Sequence, residues 1–320
     1  MKKFTRHHIV VGIFLLAVLP LQAQQEANYN LYRYHLNLIN PAAVGSQGET
    51  YLNMSARSQW VGIEDAPETQ AISLEIPDIG RRLSVGFSVI NDRVFIERQT
   101  QLFIDFSYRL PLSTAGDNLF LGLKAGGTSL RLLADQLQVY GSDAADPYLQ
   151  NNSNFVPNIG VGLLWQNKSY FLSLSVPRLL NTERFRYNEG QVSRATDRPH
   201  LFFATGWYKN LNPGWVFSPS IIVNAVANAP VDYTLETRFS YQEKLKLGLQ
   251  YSLGSGMGLT GALFLTQNIQ VGYAYLTPVQ AALRNVRLGT HEMVLKIKLN
   301  NGKRGDDLAH HPTPQNKKII

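Results

Sequence analysis

Few residues in this chain have the types and spacing that chemistry at a site requires. His291-Glu292 has no second histidine four residues after the first, so the zinc-protease pattern is absent. The glycine-rich stretch 254–258 is explained better by a hairpin turn than by a phosphate loop, because no helical pattern follows it. Asp143 and Asp146 could bind calcium, but a solvated loop is the simpler interpretation of their polar surroundings. We therefore predict no catalytic residue, no cofactor site and no metal site.

Composition narrows the function classes further. The chain has no cysteine, which excludes both a disulfide framework and lipid attachment at an N-terminal cysteine. The formal net charge of +7 could suggest a nucleic-acid partner, but lysine and arginine occur singly along strands and turns. We expect no nucleic-acid partner, and we expect stability to come from a large hydrogen-bonded sheet or core.

Most of the chain alternates apolar and polar residues with a period of two, as strands do when their faces meet different environments. In the stretch 101–110, Asp105 and Arg109 lie on the face opposite to Leu102, Ile104, Phe106, Tyr108 and Leu110. The pattern predicts about fourteen strands, near 50–59, 68–76, 82–91, 99–110, 118–130, 155–166, 169–177, 200–209, 214–226, 231–241, 243–253, 257–266, 269–277 and 289–299. Pro157 and Pro219 fall inside two of them and indicate bulges or misplaced boundaries.

The predicted connections alternate in length. Every second junction is short, and the long ones between them are 60–67, 92–98, 131–154, 178–199 and 278–288. Outer-membrane barrels join their strands in this way, with short periplasmic turns and longer external loops. An even number of strands places both termini in the periplasm.

Charge is sorted between the two faces of the predicted strands. One face carries uncharged rows such as Leu245, Leu247, Leu249 and Tyr251, whereas the other carries Glu75, Asp105, Lys124, Glu236, Arg238 and Lys296. A Lys or Arg that faces the middle of a bilayer costs about 2–4 kcal/mol, so a lipid-facing wall requires this sorting. A soluble antiparallel sheet, such as a periplasmic β-sandwich or propeller, shows the same alternation with its apolar face inward. The predicted export, the alternation of short and long connections (loop parity) and the aromatic residues near strand ends favour a lipid-facing outer surface.

We therefore predict an all-β fold, a transmembrane antiparallel β-barrel surrounded by outer-membrane lipid. Basic residues before the apolar run Ile9 to Leu21 have the layout of a cleaved signal peptide, and the run is shorter than the roughly 20 residues of a spanning helix. The predicted organisation is a signal peptide over 1–23, an irregular segment over 24–49 at the periplasmic mouth or in the lumen, the barrel over 50–299, and a flexible polar tail over 300–320.

Several short motifs, taken in order, resemble the PorP/SprF family of the type IX secretion system of the Bacteroidetes. They are Ile39-Asn40-Pro41-Ala42 with Gly45-Ser46, Arg57-Ser58-Gln59-Trp60-Val61-Gly62 with Ala66-Pro67, Gly86-Phe87-Ser88-Val89 with Asn91-Asp92, Gly122-Leu123-Lys124-Ala125-Gly126, Pro157-Asn158-Ile159-Gly160-Val161-Gly162, Leu174 to Asn181, Gly272-Tyr273-Ala274-Tyr275 and Gly289-Thr290-His291-Glu292. Two departures are Ala43, where the family usually has Tyr, and Arg93 to Ile96, where it has Gly-Pro.

The resemblance implies a non-enzymatic outer-membrane protein that supports secretion or surface anchoring of particular substrates, such as gliding adhesins. It also implies contacts with substrate C-terminal domains and with other, including periplasmic, components of the machine. The alternative function is a passive channel or nutrient transporter, which would share the barrel wall but have an open lumen.

Loop parity places several motif residues at the external end of the barrel. The hypothesis is that Trp60, Gly62, Pro67, Asn91, Asp92, Pro177, Arg178, Leu180 and Asn181 form one partner-binding platform. The competing interpretation is that Trp60 is an aromatic residue of the membrane interface, and that Arg178 and Asp92 form an ion pair between loops.

Overall fold

The computed structural model describes residues 31–80, 82–114, 116–133, 152–183, 196–253, 256–278 and 289–299. A short helix α1 (Leu36–Ile39) and a 3-10 turn (Pro41–Ala43) precede the strands. The strands are β1 Thr50–Ser58, β2 Glu68–Gly80, β3 Leu83–Val94, β4 Glu97–Pro111, β5 Asn118–Leu132, β6 Asn152–Gln166, β7 Tyr170–Val176, β8 Thr182–Glu183, β9 Thr196–Asp197, β10 His200–Trp207, β11 Lys209–Asn212, β12 Trp215–Phe217, β13 Ser220–Val226, β14 Asp232–Tyr241, β15 Leu245–Ser252, β16 Gly256–Phe264, β17 Ile269–Thr277 and β18 Thr290–Leu299.

The strands form a closed antiparallel barrel of 14 strands. Strand β11 continues β10 and β12 continues β13, so each pair counts once around the wall. The barrel closes where β1 pairs with β18 along its whole length, from Thr50 opposite Leu299 to Ser58 opposite His291. Strands β8 and β9 form a separate two-stranded sheet in the connection between β7 and β10. The predicted fold class is confirmed.

The two prolines in predicted strands have different outcomes. Pro219 separates β12 from β13, and the Trp207 amide donates to the Pro219 carbonyl at 3.2 Å across this break. Pro157 lies inside β6 opposite Gly127 of β5, beyond the point where the β6–β7 ladder ends at Val161. A proline is tolerated there because its missing N–H removes no ladder bond on the free side.

One predicted loop is shorter than expected. The stretch 92–98 was expected to be a long connection, but β3 continues to Val94 and β4 begins at Glu97. Ladder pairing persists through Val94 opposite Glu97, and only Phe95 and Ile96 form the turn, with Phe95 at a φ of 53°. The longest connections, which follow β1, β5, β7 and β17, still lie at one end, and this defines a short-turn end and a long-loop end of the barrel.

Side chains divide between the two faces of the wall as the charge pattern predicts. Leu247, Leu249 and Met293 are exposed on the outer surface, whereas Asp105 and Glu236 are fully buried on the inside. An apolar outer face and a polar inner face are what a barrel wall between lipid and a lumen requires. No helix in the described ranges is long and apolar enough to cross a membrane.

Several sequence-based expectations fall on other parts of the chain. The predicted signal peptide, residues 24–30, Asp143 and Asp146, and the predicted tail lie outside the described residues.

Candidate functional site

The N-terminal segment 31–48, which we call the plug, lies inside the lumen. Leu31, Tyr32, Asn37, Asn40 and Val44 of this segment are all at most 1 % exposed. The plug belongs to neither sheet, and it runs through α1 and the 3-10 turn before it joins β1. Its backbone must therefore find hydrogen-bond partners other than a strand ladder.

The wall supplies many of these partners from its side chains. Ser175 donates to the Ile39 carbonyl at 2.7 Å and Ser107 donates to the Ala42 carbonyl at 3.0 Å. Further bonds run from Gln166 to the Ser46 carbonyl (2.8 Å), from Lys124 to the Asn37 carbonyl (3.5 Å), from the Gly45 amide to Glu75 (3.3 Å) and from the Leu31 amide to Glu292 (3.0 Å). Strands far apart in the sequence thus converge on one peptide.

Asn40 anchors the plug to the wall. Its Nδ2 donates to the Leu163 carbonyl at 2.9 Å and to Ser173 Oγ at 2.7 Å, while its Oδ1 accepts from the Ala42 amide at 2.9 Å. The last bond caps the 3-10 turn, whose first residue is Pro41. A proline fits there because its fixed φ suits a turn and its missing N–H is not needed.

Glycines in the wall create the space in which the plug lies. A Cβ at Gly162 would collide with the Asn40 side-chain oxygen, and one at Gly122 would collide with the Ala42 backbone nitrogen. At Gly86 a Cβ would come within 2.8 Å of Val44. These strand glycines are needed because plug atoms, backbone at Gly122 and side chains at Gly86 and Gly162, lie directly against the wall.

Apolar contacts hold two sides of the plug. One cluster joins its Tyr32, Ile39, Ala42 and Ala43 to Phe120, Leu164, Phe171, Ala204 and Ile222 of the wall. A second joins Leu31 and Tyr34 to Ala262, Ala274, Leu276 and Val294. Dry contacts on opposite sides of the lumen fix the plug across the barrel rather than against one strand.

Buried ion pairs lie on two sides of the plug. Glu236 lies between Arg238, at 2.7 Å, and Arg33 of the plug, at 3.8 Å, and it also accepts a hydrogen bond from Thr260 at 3.1 Å. On the other side of the lumen, Lys124 pairs with Asp105 at 2.8 Å. Charges removed from water need such partners, and breaking one pair leaves the other charge uncompensated.

Two titratable groups of the plug, His35 and Tyr32, remain neutral in these surroundings. Burial lowers the pKa of His35 to about 3, and the nearby Lys296 cation acts in the same direction. Burial also raises the pKa of Tyr32 to about 12, with Glu236 adding to the effect. Tyr32 therefore keeps its proton and donates it to Ser220 Oγ at 2.9 Å.

Toward the long-loop end, one row of cross-strand neighbours lines the inner wall. In order around the barrel it consists of Glu292, Arg57, Thr69, Asp92, Gln99 and Leu130. Arg57 lies 3.8 Å from Glu292, and Thr69 donates to Asp92 at 2.6 Å. Glu292 also accepts from the plug, and the rest of the row, which is polar except for Leu130, lines the lumen wall beyond the plug.

The predicted platform residues fall into two groups at the long-loop end. Trp60, Gly62 and Pro67 lie in the β1–β2 loop, which the Val61 amide joins to the Gly289 carbonyl at 3.2 Å. Gly62 has a φ of 108°, a backbone conformation that favours glycine. Asp92 belongs to this group because its side chain lies on the inner face of β3, where it accepts from Thr69, two residues after Pro67.

The second group lies directly after β7. Asn158 fixes it, since its side chain both donates to the Leu180 carbonyl and accepts from the Leu180 amide, each at 3.1 Å. Arg178 and Leu180 line a recess together with Leu130, Asn158 and Arg198. Pro177 packs its backbone against Gly160, and Asn181 is exposed.

The structure does not bring all nine residues onto one surface. Strands β4, β5 and β6 lie between Asp92 on β3 and Arg178 after β7. Asn91 is exposed and accepts from Thr100 at 3.1 Å, and it shares the outward face of β3 with Val89. The inner row that ends at Leu130 is the surface that connects the first group to the recess.

The comparisons with known proteins agree with the sequence motifs. Residues 21–297 match the family model described as type IX secretion system membrane protein PorP/SprF. The chain belongs to this family. PorP/SprF membership makes it a membrane component of type IX secretion rather than a member of an enzyme family. Together with the barrel, it supports an outer-membrane location.

Solved barrel structures are similar at low identity, and no curated protein matches. Acinetobacter baumannii outer membrane protein Omp33 is 10% identical with a TM-score of 0.46, over 78% of this chain and 98% of that one. A Pseudomonas aeruginosa FadL homologue is 9% identical with a TM-score of 0.45, over 82% and 93%. The CymD monoaromatic hydrocarbon channel is 13% identical with a TM-score of 0.46, over 87% and 95%.

The PorP/SprF motifs also contain residues that contact the plug or belong to it, and the predicted site omitted them. Asn40, Gly86, Gly122, Lys124 and Gly162 all belong to motifs quoted for the resemblance, and all of them contact across the plug–wall interface. The Asn-Pro pair and the strand glycines were the available signal, since an interior strand glycine often marks close backbone approach. Among the described residues, no group of three or more His, Asp or Glu side chains could hold a metal ion.

Proposed function

We propose that this PorP/SprF protein is a closed barrel that supports secretion or surface anchoring of particular type IX substrates by binding them. The observation that carries the proposal is the plug, because a lumen filled by this segment is poorly suited to passive transport. The alternative function, a channel or nutrient transporter, needs an open path that the plug obstructs.

The proposed binding surface is the wall beyond the plug at the long-loop end, which loop parity predicts to be external. Its inner row is polar and charged, from Arg57 to Gln99, and it leads to the recess beside Arg178. Trp60 and Arg178 lie at opposite sides of this surface and are the side chains proposed to contact the C-terminal domain of a substrate. Other components of the secretion machine, including periplasmic ones, are further proposed partners.

Conductance tests the closed barrel. We expect purified protein in planar bilayers to show little ion current, and a variant that lacks residues 24–48 to conduct as an open pore. An unmodified protein that conducts as freely as that variant would support the channel and remove the closed-barrel proposal.

Substrate display tests the binding surface separately. The double variant Trp60→Ala/Arg178→Ala should reduce surface display of the cognate substrate by roughly tenfold or more, since aromatic and arginine anchors carry most interface energy. Arg98→Ala is the matched control, because its alternation with the buried Gln99 places Arg98 on the outer face at the same end. Normal display by a correctly inserted double variant would exclude these residues as the contact site.

A further inference from the structure

The plug is held by a wall that recognises its main chain. The Ile39, Ala42 and Ser46 carbonyls are acceptors for wall side chains, and the Gly45 amide donates to a wall carboxylate. Side chains directed at peptide groups are what a site for a peptide ligand requires, because a peptide outside a sheet must satisfy its backbone groups elsewhere.

The same wall also selects side chains. The Asn40 amide donates to Leu163 and Ser173, and it occupies the space left by Gly162. Gly122 admits the backbone at Ala42, so the peptide passes close to the wall at this point. The four-residue sequence Asn-Pro-Ala-Ala therefore fits a slot that accepts small residues after the proline.

These contacts are spread over the barrel, whereas the covalent link is a single point. Hydrogen bonds reach the plug from Glu75 on β2, Ser107 on β4, Ser175 on β7 and Glu292 on β18. The chain connection lies only at Gly48–Thr50, where the plug enters β1. Tethering raises the effective concentration of a ligand but supplies none of these contacts.

We infer that the inner wall from β2 to β7 is a peptide-binding site in its own right. Its ligand class is a peptide with an Asn-Pro-small-small turn, and its resident ligand is the plug of the same chain. The site is separate from the proposed surface at the long-loop end and does not depend on the proposed function.

The test uses the full chain with a protease site inserted between Gly48 and Glu49. The folded protein is cleaved, unfolded in denaturant, and refolded in detergent with an excess of a fluorescent peptide that corresponds to residues 31–48. Gel filtration then measures the label that elutes with the heat-modifiable barrel. We expect about one labelled peptide per barrel at saturation, and no incorporation into uncleaved protein, whose tethered plug competes at high effective concentration.

Two substitutions make the result specific. A peptide with Asn40→Ala should bind at least about tenfold more weakly, because Leu163 and Ser173 lose their partner. In the wall, Gly162→Ala should reduce incorporation to a similar extent. Gly261→Ala is the matched control, since a Cβ there meets its nearest neighbours at 3.7 and 3.8 Å, which are ordinary contacts.

Three results would overturn the inference. The first is a cleaved chain that refolds without taking up label, or that fails to refold with the peptide present. The others are equal incorporation of the native and Asn40→Ala peptides, and equal losses of incorporation in the Gly162→Ala and Gly261→Ala variants. Because the readout is peptide binding in detergent, it is independent of substrate display and of conductance.

Discussion

The ion pair of Asp105 and Lys124 should be among the most sensitive polar contacts of the barrel. Their atoms approach to 2.8 Å, and the two side chains are 0% and 2% exposed. Asp105→Asn would remove the negative charge beside the buried ammonium of Lys124, leaving it a neutral amide oxygen, the Asn37 carbonyl at 3.5 Å and the Phe103 ring at 5.1 Å. Breaking one side of such a pair costs about 3–5 kcal/mol, and these residual contacts place our expectation near the lower end.

A second ion pair provides the matched control. Arg93 and Asp65 are closer, at 2.6 Å, but their side chains are 40% and 36% exposed. Water screens this pair, so Asp65→Asn should cost at most about 1 kcal/mol. The comparison isolates burial, because distance alone would predict the larger effect at Asp65.

The assay is equilibrium unfolding in guanidinium chloride, with the barrel in detergent micelles and its tryptophan fluorescence as the signal. Asp105→Asn should lower the midpoint by roughly 0.5–1 M, given ordinary denaturant slopes for a protein of this size. Adding Lys124→Met should recover much of the loss, because it removes the uncompensated charge. Equal costs at Asp105 and Asp65, or no recovery in the double variant, would refute the picture of a dry, low-dielectric plug interface.

Two further outcomes are expected. Leu249→Arg, on the lipid-facing surface, should destabilise the barrel in lipid vesicles by about 2–4 kcal/mol. The control Leu112→Arg, in the β4–β5 turn, should change the stability little. Similar losses in both variants would contradict the outward assignment of Leu249. Because the pKa of His35 is about 3 when folded and near its ordinary value of 6.5 when unfolded, its contribution to stability should be complete above pH 6.5. That contribution should fall by about 1.4 kcal/mol per unit as the pH drops from 6.5 toward 3. Unfolding titrations at pH 7 and pH 5 would measure this fall, and His35→Gln should reduce the difference.

The plug gives the family motifs a physical role that differs from the one inferred from loop parity. Asn40, Gly122 and Gly162 lie far apart in the sequence, yet they meet at one contact in the lumen. Loop parity placed the predicted site at the strand ends, where Trp60 and Arg178 lie. The motifs therefore include residues that pack the plug in the lumen as well as residues at the rim of the barrel.

The sequence by itself determined the wall. A period of two, repeated between turn residues, specifies strands with two different faces, and the absence of charge on one face specifies lipid outside. The predicted ends of the barrel strands lie within about four residues of the observed ones, because each local stretch carries its own pattern. Asp105 and Arg109 were placed inward on this ground alone.

Only the tertiary structure decided what fills the lumen. The segment 31–48 has no regular period, so nothing local distinguishes a plug from an irregular leader at the barrel mouth. Its position depends on partners such as Glu236, Gly162 and Ser175, which come together only when the barrel closes. Contacts of this kind combine residues that are distant in the chain, and a local pattern contains no information about which of them will meet.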